Sequence, residues 1–279
     1  MPDLRQYANE QRYNLVYWQR RLRHRRLRPT LRDDERALVK TLARDGGVVT
    51  SLAALSVPDT AMMMAEADRL MASLLGRAPV KGGFGVQATP AEIDAYPALI
   101  RWGLDERLLA IVGNYIGVPI SYRGLTVRRD VAGGEQVETR LFHRDNEDNR
   151  IVKIIVYLND VDETGGPYEF IPRGVAPASW RIPVSGSRAS DEAVSRAVPR
   201  SRWVPCNGAR GTAVFTDTCR VFHRGRIAQS RDRQALFFCY NSAAPMSPQW
   251  CQPLFDRARF LAASPDLSPA QRQAIAVEY

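Results

Sequence analysis

Phe142-His143-Arg144-Asp145, followed after a short polar loop by Ile151-Val152-Lys153-Ile154-Ile155-Val156-Tyr157-Leu158, is the stretch whose reading decides the fold. The chain has only three histidines, at positions 24, 143 and 223. In an extended segment residues i and i+2 project to the same side, so His143 and Asp145 can grip one ion together. A third ligand must then come from a strand that the fold brings alongside. His223 fills that part: it follows the apolar run Gly211–Thr216 in the loop Asp217-Thr218-Cys219-Arg220-Val221-Phe222-His223. Two imidazoles and one carboxylate with open positions beside them form the facial ligand set of non-heme Fe(II) centres. Ten residues on, Arg233 opens Arg233-Gln234-Ala235-Leu236-Phe237-Phe238-Cys239-Tyr240, which alternates and carries aromatics as a strand does.

These segments, taken in order, resemble the phytanoyl-CoA dioxygenase-like group of Fe(II)/2-oxoglutarate oxygenases. The likeness rests on Phe142 to Asp145, Val152 to Asp162 followed by Gly165-Gly166-Pro167, Phe215-Thr216-Asp217-Thr218, His223-Arg224-Gly225, and Arg233 at the start of its strand. It spans roughly residues 31–245. The resemblance implies an α+β protein with a mainly β core, a double-stranded β-helix (jelly roll, cupin-like) buttressed by N-terminal helices. It also implies His143, Asp145 and His223 on Fe(II), Arg233 on 2-oxoglutarate, and oxidation of a small molecule by dioxygen with release of succinate and CO2. Two departures stand out. Many relatives place Pro-Gly-Ser-His where this chain reads Pro172-Arg173-Gly174-Val175, and some place a serine at the position of Gly225.

At 279 residues, with 45% apolar content, the chain is long enough for one large domain with a real core. We divide it into a basic N-terminal extension (1–30), a catalytic domain (31–245) and a C-terminal helical tail (246–279). No run of eighteen or more apolar residues suggests a membrane span, and the N-terminus lacks the apolar core of a signal peptide. Four cysteines (206, 219, 239, 251) show no C-x-x-C pairing, which points to reduced thiols and a cytoplasmic protein. Of the net charge of +9, residues 1–30 supply +6, as eight arginines against Asp3 and Glu10. The catalytic region is therefore not a generally basic surface.

Residues 1–28 read as an amphipathic helix with Leu4, Tyr7, Leu15, Trp18 and Leu22 on one face, running into Arg20, Arg21, Arg23, Arg25, Arg26 and Arg28. One reading is contact with an anionic membrane or nucleic acid; the preferred one is a helix packed on the body with a solvated charged face. Asp33-Asp34-Glu35 and Gly46-Gly47 bracket a second helix, and Asp59 and Gly76 a third whose methionines fill core. Thr89-Pro90-Ala91-Glu92 is a capping box, a further helix runs from Asp105 to Ile116 ahead of Gly117, and Ser268 starts a last short one. Strands are expected over Ile120–Arg128, Val137–His143, Ile151–Leu158, Tyr168–Ile171, Gly211–Thr216 and Gln234–Tyr240, with 173–210, including Trp180 and Trp203, irregular as a lid or surface excursion.

A carboxylate at 145 fills a coordination position that a halide would need, which favours hydroxylation over halogenation. Guanidinium pairs with carboxylate through two parallel hydrogen bonds, so Arg233 is the chosen clamp for 2-oxoglutarate, with Arg231 its rival. Lys153 shares its strand face with Ile155 and Tyr157 and needs an anion to offset burial. That anion is 2-oxoglutarate, an acidic substrate, or an internal partner such as Glu169. Arg224, Arg226 and Lys153 together hint at an anionic substrate, and Asp217 and Thr218 read as groups orienting His223. Two rival functions are kept: a cupin-like metalloprotein acting without 2-oxoglutarate, and a non-enzymatic binding module using the basic N-terminus.

Overall fold

A computed structural model of the chain describes residues 4–80, 82–175 and 187–276. In chain order its helices are α1 (Leu4–His24), α2 (Asp33–Asp45), α3 (Leu52–Leu55), α4 (Thr60–Leu75), α5 (Pro90–Ile93), α6 (Pro97–Gly103), α7 (Glu106–Ile116), α8 (Asp191–Ala197), α9 (Arg257–Ala263) and α10 (Pro269–Ile275). The strands are β1 (Gly47–Ser51), β2 (Gly85–Gln87), β3 (Ile120–Asp130), β4 (Phe142–His143), β5 (Val152–Tyr157), β6 (Tyr168–Phe170), β7 (Arg188–Ala189), β8 (Val204–Pro205), β9 (Thr212–Asp217), β10 (His223–Gly225) and β11 (Arg233–Ser242). They form two antiparallel sheets, ordered β1-β9-β5-β11-β3-β2 and β7-β4-β10-β6-β8.

The helices start and stop where side chains satisfy their end groups. Thr89 and Glu92 cap α5 reciprocally with Pro90 in the first turn, and Ser268 and Gln271 do the same for α10. Gly46 and Gly117, at φ 82° and 83°, end α2 and α7 in the left-handed conformation that glycine adopts without a Cβ penalty. The helices cover one face of the larger sheet, where Ile154, Val156, Phe215, Leu236, Phe238 and Tyr240 are buried with Leu70, Leu74, Leu99, Trp102 and Ile116. Trp102 and Phe238 meet there with ring centroids 4.7 Å apart, so Phe238→Ala would cost about 3–5 kcal/mol. Residues after 245 return to this same layer: Phe255, Phe260, Leu267 and Ile275 join its core.

The opposite face of the larger sheet meets the smaller one. Ile155, Tyr157, Val214 and Ala235 pack there against Tyr168, Phe170 and Cys206. Buried hydroxyls tie the two sheets, since Tyr157 donates to the Cys206 carbonyl (2.8 Å) and Tyr168 lies 2.6 Å from Thr216 Oγ1. This interface is apolar at one end and polar at the other, and the polar end holds the site.

Several expected elements differ. Val137–His143 is not one strand: Glu138, at φ 49°, turns a 3-10 segment over Glu138–Arg140, and only Phe142 and His143 remain extended. Within 173–210 the chain forms α8, capped by Ser190 with acids in its first turn, and Trp203 is buried against Phe142 (centroids 4.9 Å). Residues 176–186, Trp180 among them, lie outside the described residues. Helix α1 does pack on the body, but through the face opposite to the expected one. Tyr17 donates to the Ile116 carbonyl (3.0 Å) and Tyr13 to Asp148 (2.5 Å), because the surface beneath offers acceptors and a hydroxyl can meet them. Leu15, Trp18 and Leu22 instead face outward, each more than half exposed. Among the described residues no helix is long and apolar enough to cross a membrane, and the four cysteines are unpaired.

Candidate metal centre

His143 on β4 and His223 on β10 are direct cross-strand partners in the smaller sheet. Directly opposed residues of an antiparallel pair hold their Cβ atoms about 5 Å apart on the same face, and the two rings sit with centroids 4.2 Å apart. Asp145 follows two residues after His143 and is held by its amide, which donates to the Thr218 carbonyl at 3.0 Å. Its Oδ1 lies 3.8 Å from His143 Nε2 and 4.0 Å from His223 Nε2. One ligand atom from each residue falls within 4.8 Å of the others. Both contacts with Asp145 are shorter than two metal–ligand bonds laid end to end, about 4.2 Å, so an ion could bridge Asp145 to either imidazole, and the three together form a group that could hold one ion.

The chemistry of the donors fits a divalent cation. His143 Nδ1 lies 2.9 Å from the Leu141 carbonyl, and His223 Nδ1 3.3 Å from that of Val221. Each carbonyl accepts the Nδ1 proton, which leaves both Nε2 lone pairs aimed inward. Burial, followed by the neighbouring imidazole, pushes His223 down to about 3, and burial lowers His143 as well. Both rings are therefore neutral donors at physiological pH. Burial opposes ionisation of Asp145, but Lys153, His223 and His143 outweigh it and hold the carboxyl below the usual carboxylate range.

Lys153 finds its anion in Asp145, with Nζ 2.6 Å from Oδ2, and not in Glu169. Burial alone would lower this ammonium, yet Asp145 holds it above its ordinary value. The pairing leaves Oδ1 toward the imidazoles and occupies Oδ2. Glu169 belongs to Arg224, which also reaches Asp191 and lies over the Phe142 ring. Arg226 is paired with Glu163. The charges at 224 and 226 are thus spent inside the fold and do not mark an anionic substrate. Asp217 does not orient His223 either: it accepts from the Tyr115 hydroxyl (2.5 Å) and shapes the loop, while the Val221 carbonyl holds the ring.

The three ligand candidates line a cavity of about 250 Å³ between the sheets, and Arg233 lines it too. Arg233 is buried, with Nε 3.0 Å from Asp130 Oδ2, Nη2 on the same oxygen, and Nη1 2.7 Å from the Gly166 carbonyl. Arg128, which sequence reading left as the end of a strand, bonds the other Asp130 oxygen at 2.5 Å and faces the same cavity. Two guanidiniums against one carboxylate leave this end of the cavity net positive, which suits a carboxylate ligand. The signal for Arg128 was its i+2 relation to Asp130 on one strand face. Arg231 is exposed on Asp162 and lines no part of the cavity. Gly225 matters here, since a Cβ on it would stand 2.6 Å from Arg233 Nη2. Glu147 enters the wall near the metal end with one buried oxygen lacking a hydrogen-bond partner.

No protein-family model matches the chain, and no curated protein matches it by sequence. Solved structures do share its fold. The epimerase SnoN, in complex with Fe3+, alpha ketoglutarate and nogalamycin RO, superposes with a TM-score of 0.53 at 19% identity, over 78% of this chain and 89% of that one. EctD from S. alaskensis, with 2-oxoglutarate and 5-hydroxyectoine, gives 0.53 at 20% identity over 78% and 82%. HygX from Streptomyces hygroscopicus, with nickel, 2-oxoglutarate and hygromycin B bound, gives 0.51 at 16% identity over 76% and 88%. At these identities the likeness establishes a common fold, one that in all three cases surrounds a site crystallised with 2-oxoglutarate or its synonym.

Proposed function

We propose that this chain is an Fe(II)/2-oxoglutarate-dependent oxygenase of the phytanoyl-CoA dioxygenase-like type, acting on a small molecule. The observation that carries it is the cross-strand pair His143–His223 closing with Asp145 on one point of a cavity whose other end presents Arg233 and Arg128. The alternation of successive strands between two antiparallel sheets, β3 and β5 in one and β4 and β6 in the other, supports a double-stranded β-helix. Residues 31–245 would form the catalytic unit.

In this reading His143 Nε2, His223 Nε2 and Asp145 Oδ1 hold the iron. Arg233, fixed by Asp130 and the Gly166 carbonyl, and Arg128 beside it receive the distal carboxylate of 2-oxoglutarate. When bound, iron and 2-oxoglutarate supply the oxidising equivalents from dioxygen, with succinate and CO2 as co-products. The protein positions and excludes water. The Leu141 and Val221 carbonyls lock the imidazole tautomers, and Lys153 fixes the orientation of Asp145. Tyr168, hydrogen-bonded to Thr216 and 5.6 Å from the His223 ring, packs the inner wall. Lys153 is more than a second cofactor contact on this account, because its nearest anion is the ligand itself.

The test is succinate formation from 2-oxoglutarate with Fe(II) and dioxygen but no substrate. Slow uncoupled turnover that disappears in His143→Ala is expected; metal binding with no consumption of 2-oxoglutarate would favour a cupin-like enzyme that does without it. Product analysis with a true substrate would separate oxidation from epimerisation, the activity of SnoN. One observation favours an additional surface role: Leu15, Trp18 and Leu22 form an outward-facing apolar stripe on a helix that also carries Arg20, Arg21 and Arg23. Salt-sensitive sedimentation with anionic vesicles, lost on deletion of residues 1–29, is the outcome that role requires.

A further inference from the structure

On the other side of the Asp145 loop lies a second cavity, of about 520 Å³, lined by Arg144, Arg173 and Arg220 and by the acids Asp145 and Asp148. Arg144 sits between two of the ligand candidates in sequence. Its guanidinium stacks over Phe222 at 4.4 Å, and its Nε is buried without a hydrogen-bond partner. The Arg173 guanidinium donates to the Ala43 carbonyl (2.8 Å) and that of Arg220 to Asn149 Oδ1 (3.2 Å). Among the described residues none of the three makes an ion pair with a carboxylate.

The acids nearby are committed elsewhere. Asp145 is held by Lys153. Asp148 accepts from the Tyr13 hydroxyl and the Ser242 amide, and Asp217 from the Tyr115 hydroxyl. Three cations that repel one another in a half-buried wall raise the free energy of the folded chain unless an anion joins them. This contrasts with Arg224, Arg226, Arg231 and Arg233, each of which has its own carboxylate.

We propose that Arg144, Arg173 and Arg220 form a binding site for a phosphoryl group. A phosphate carries about −1.5 to −2 charges and at least three acceptor oxygens, enough to engage guanidiniums on three sides. A carboxylate, with one charge and two oxygens, would leave one arginine unmatched. The shared chemistry has two sources, free inorganic phosphate or a phosphate monoester on a small molecule. Asp145 lines both cavities, so the group would bind beside the proposed metal centre, yet the site itself does not depend on iron or 2-oxoglutarate.

The experiment is calorimetric titration of the full chain, free of iron and 2-oxoglutarate, with inorganic phosphate and in parallel with glycerol phosphate, at fixed ionic strength held by chloride. Saturable binding of one phosphoryl group per chain is expected. Arg173→Gln and Arg220→Gln should each weaken it at least about tenfold, the loss of one charge-assisted contact, while R20Q/R23Q on α1 should not change it. Tighter binding of the monoester assigns the group to a small molecule, and tighter binding of inorganic phosphate assigns it to the free anion. No saturable binding, equal loss in the α1 variant, or full retention in R173Q/R220Q would overturn the proposal. Where that double variant does not fold, the wild-type melting temperature serves: phosphate must raise it above chloride at equal ionic strength, and no difference refutes the site.

Discussion

Lys153→Met removes one partner of the ion pair that sits against the metal centre. The ammonium and the Asp145 carboxylate are 2.6 Å apart, with side-chain exposures of 26% and 11%. Methionine fills the same volume, so packing is nearly conserved, and what changes is that Asp145 keeps its charge in a poorly solvated place. Breaking a buried pair from one side costs about 3–5 kcal/mol; the partial exposure of Lys153 places the expected loss at the lower end, about 3 kcal/mol. For a chain of this size that corresponds to a fall in melting temperature of roughly 6–12 °C in the metal-free protein. A divalent ion brings its own positive charge to Asp145 and replaces the missing ammonium. Saturating Mn(II) should therefore raise the melting temperature of the variant more than that of the wild type, and close most of the gap. Differential scanning fluorimetry with and without Mn(II) measures both. A variant as stable as wild type without metal, or one that gains no more from metal than wild type does, would refute the assignment of Lys153 as the counter-charge of a metal ligand.

The imidazoles carry a pH dependence whose sign follows from their burial. His223 is lowered from 6.5 to about 3, so the unfolded chain binds its proton first and stability of the metal-free protein falls as pH drops below about 6.5. Between about pH 7.5 and 5 this amounts to roughly 2 kcal/mol, at about 1.4 kcal/mol per pH unit. Asp217, raised to about 6 by burial, runs the other way over part of that window, so urea unfolding of wild type should be compared with His223→Gln, which is expected to lose the His223 component while the Asp217 component remains. Arg233→Leu should raise the 2-oxoglutarate requirement at least about tenfold while Arg231→Leu leaves it unchanged, read from succinate formation; the reverse order would move the role. Gly225→Ser should also raise that requirement, because the new Cβ would displace the Arg233 guanidinium it stands 2.6 Å from.

His223 as the third ligand was reached through the resemblance of the ordered segments, whereas the pairing of His143 with Asp145 was legible because an extended backbone makes i and i+2 neighbours, which is a local rule. The apolar runs that became β5, β9 and β11, and the caps of α2, α5, α7 and α10, were legible for the same reason. What the sequence did not disclose depends on closure between distant strands. That His223 lies opposite His143, that Lys153 spends its charge on Asp145, and that Arg128 stands beside Arg233 are facts of pairing between β4 and β10, β5 and the Asp145 loop, and β3 and β11. Arg224 and Arg226 misled because two cations near a histidine look available until Glu169, Asp191 and Glu163 arrive from elsewhere. The α1 error has a different origin. Its leucine stripe is the more apolar face, but the body offers a carboxylate and a carbonyl, which Tyr13 and Tyr17 can satisfy and leucine cannot. Helix α8 was overlooked in a Ser- and Arg-rich region although Ser190 followed by Asp191 and Glu192 is a start signal.

The most direct measurement is anaerobic titration of the metal-free chain with Fe(II) in the presence of 2-oxoglutarate, followed in the visible range. The account predicts a weak charge-transfer absorption that saturates at one iron per chain and is abolished by replacing His143, Asp145 or His223 singly with alanine. Iron binding that persists in all three variants, or no absorption dependent on 2-oxoglutarate, would contradict it.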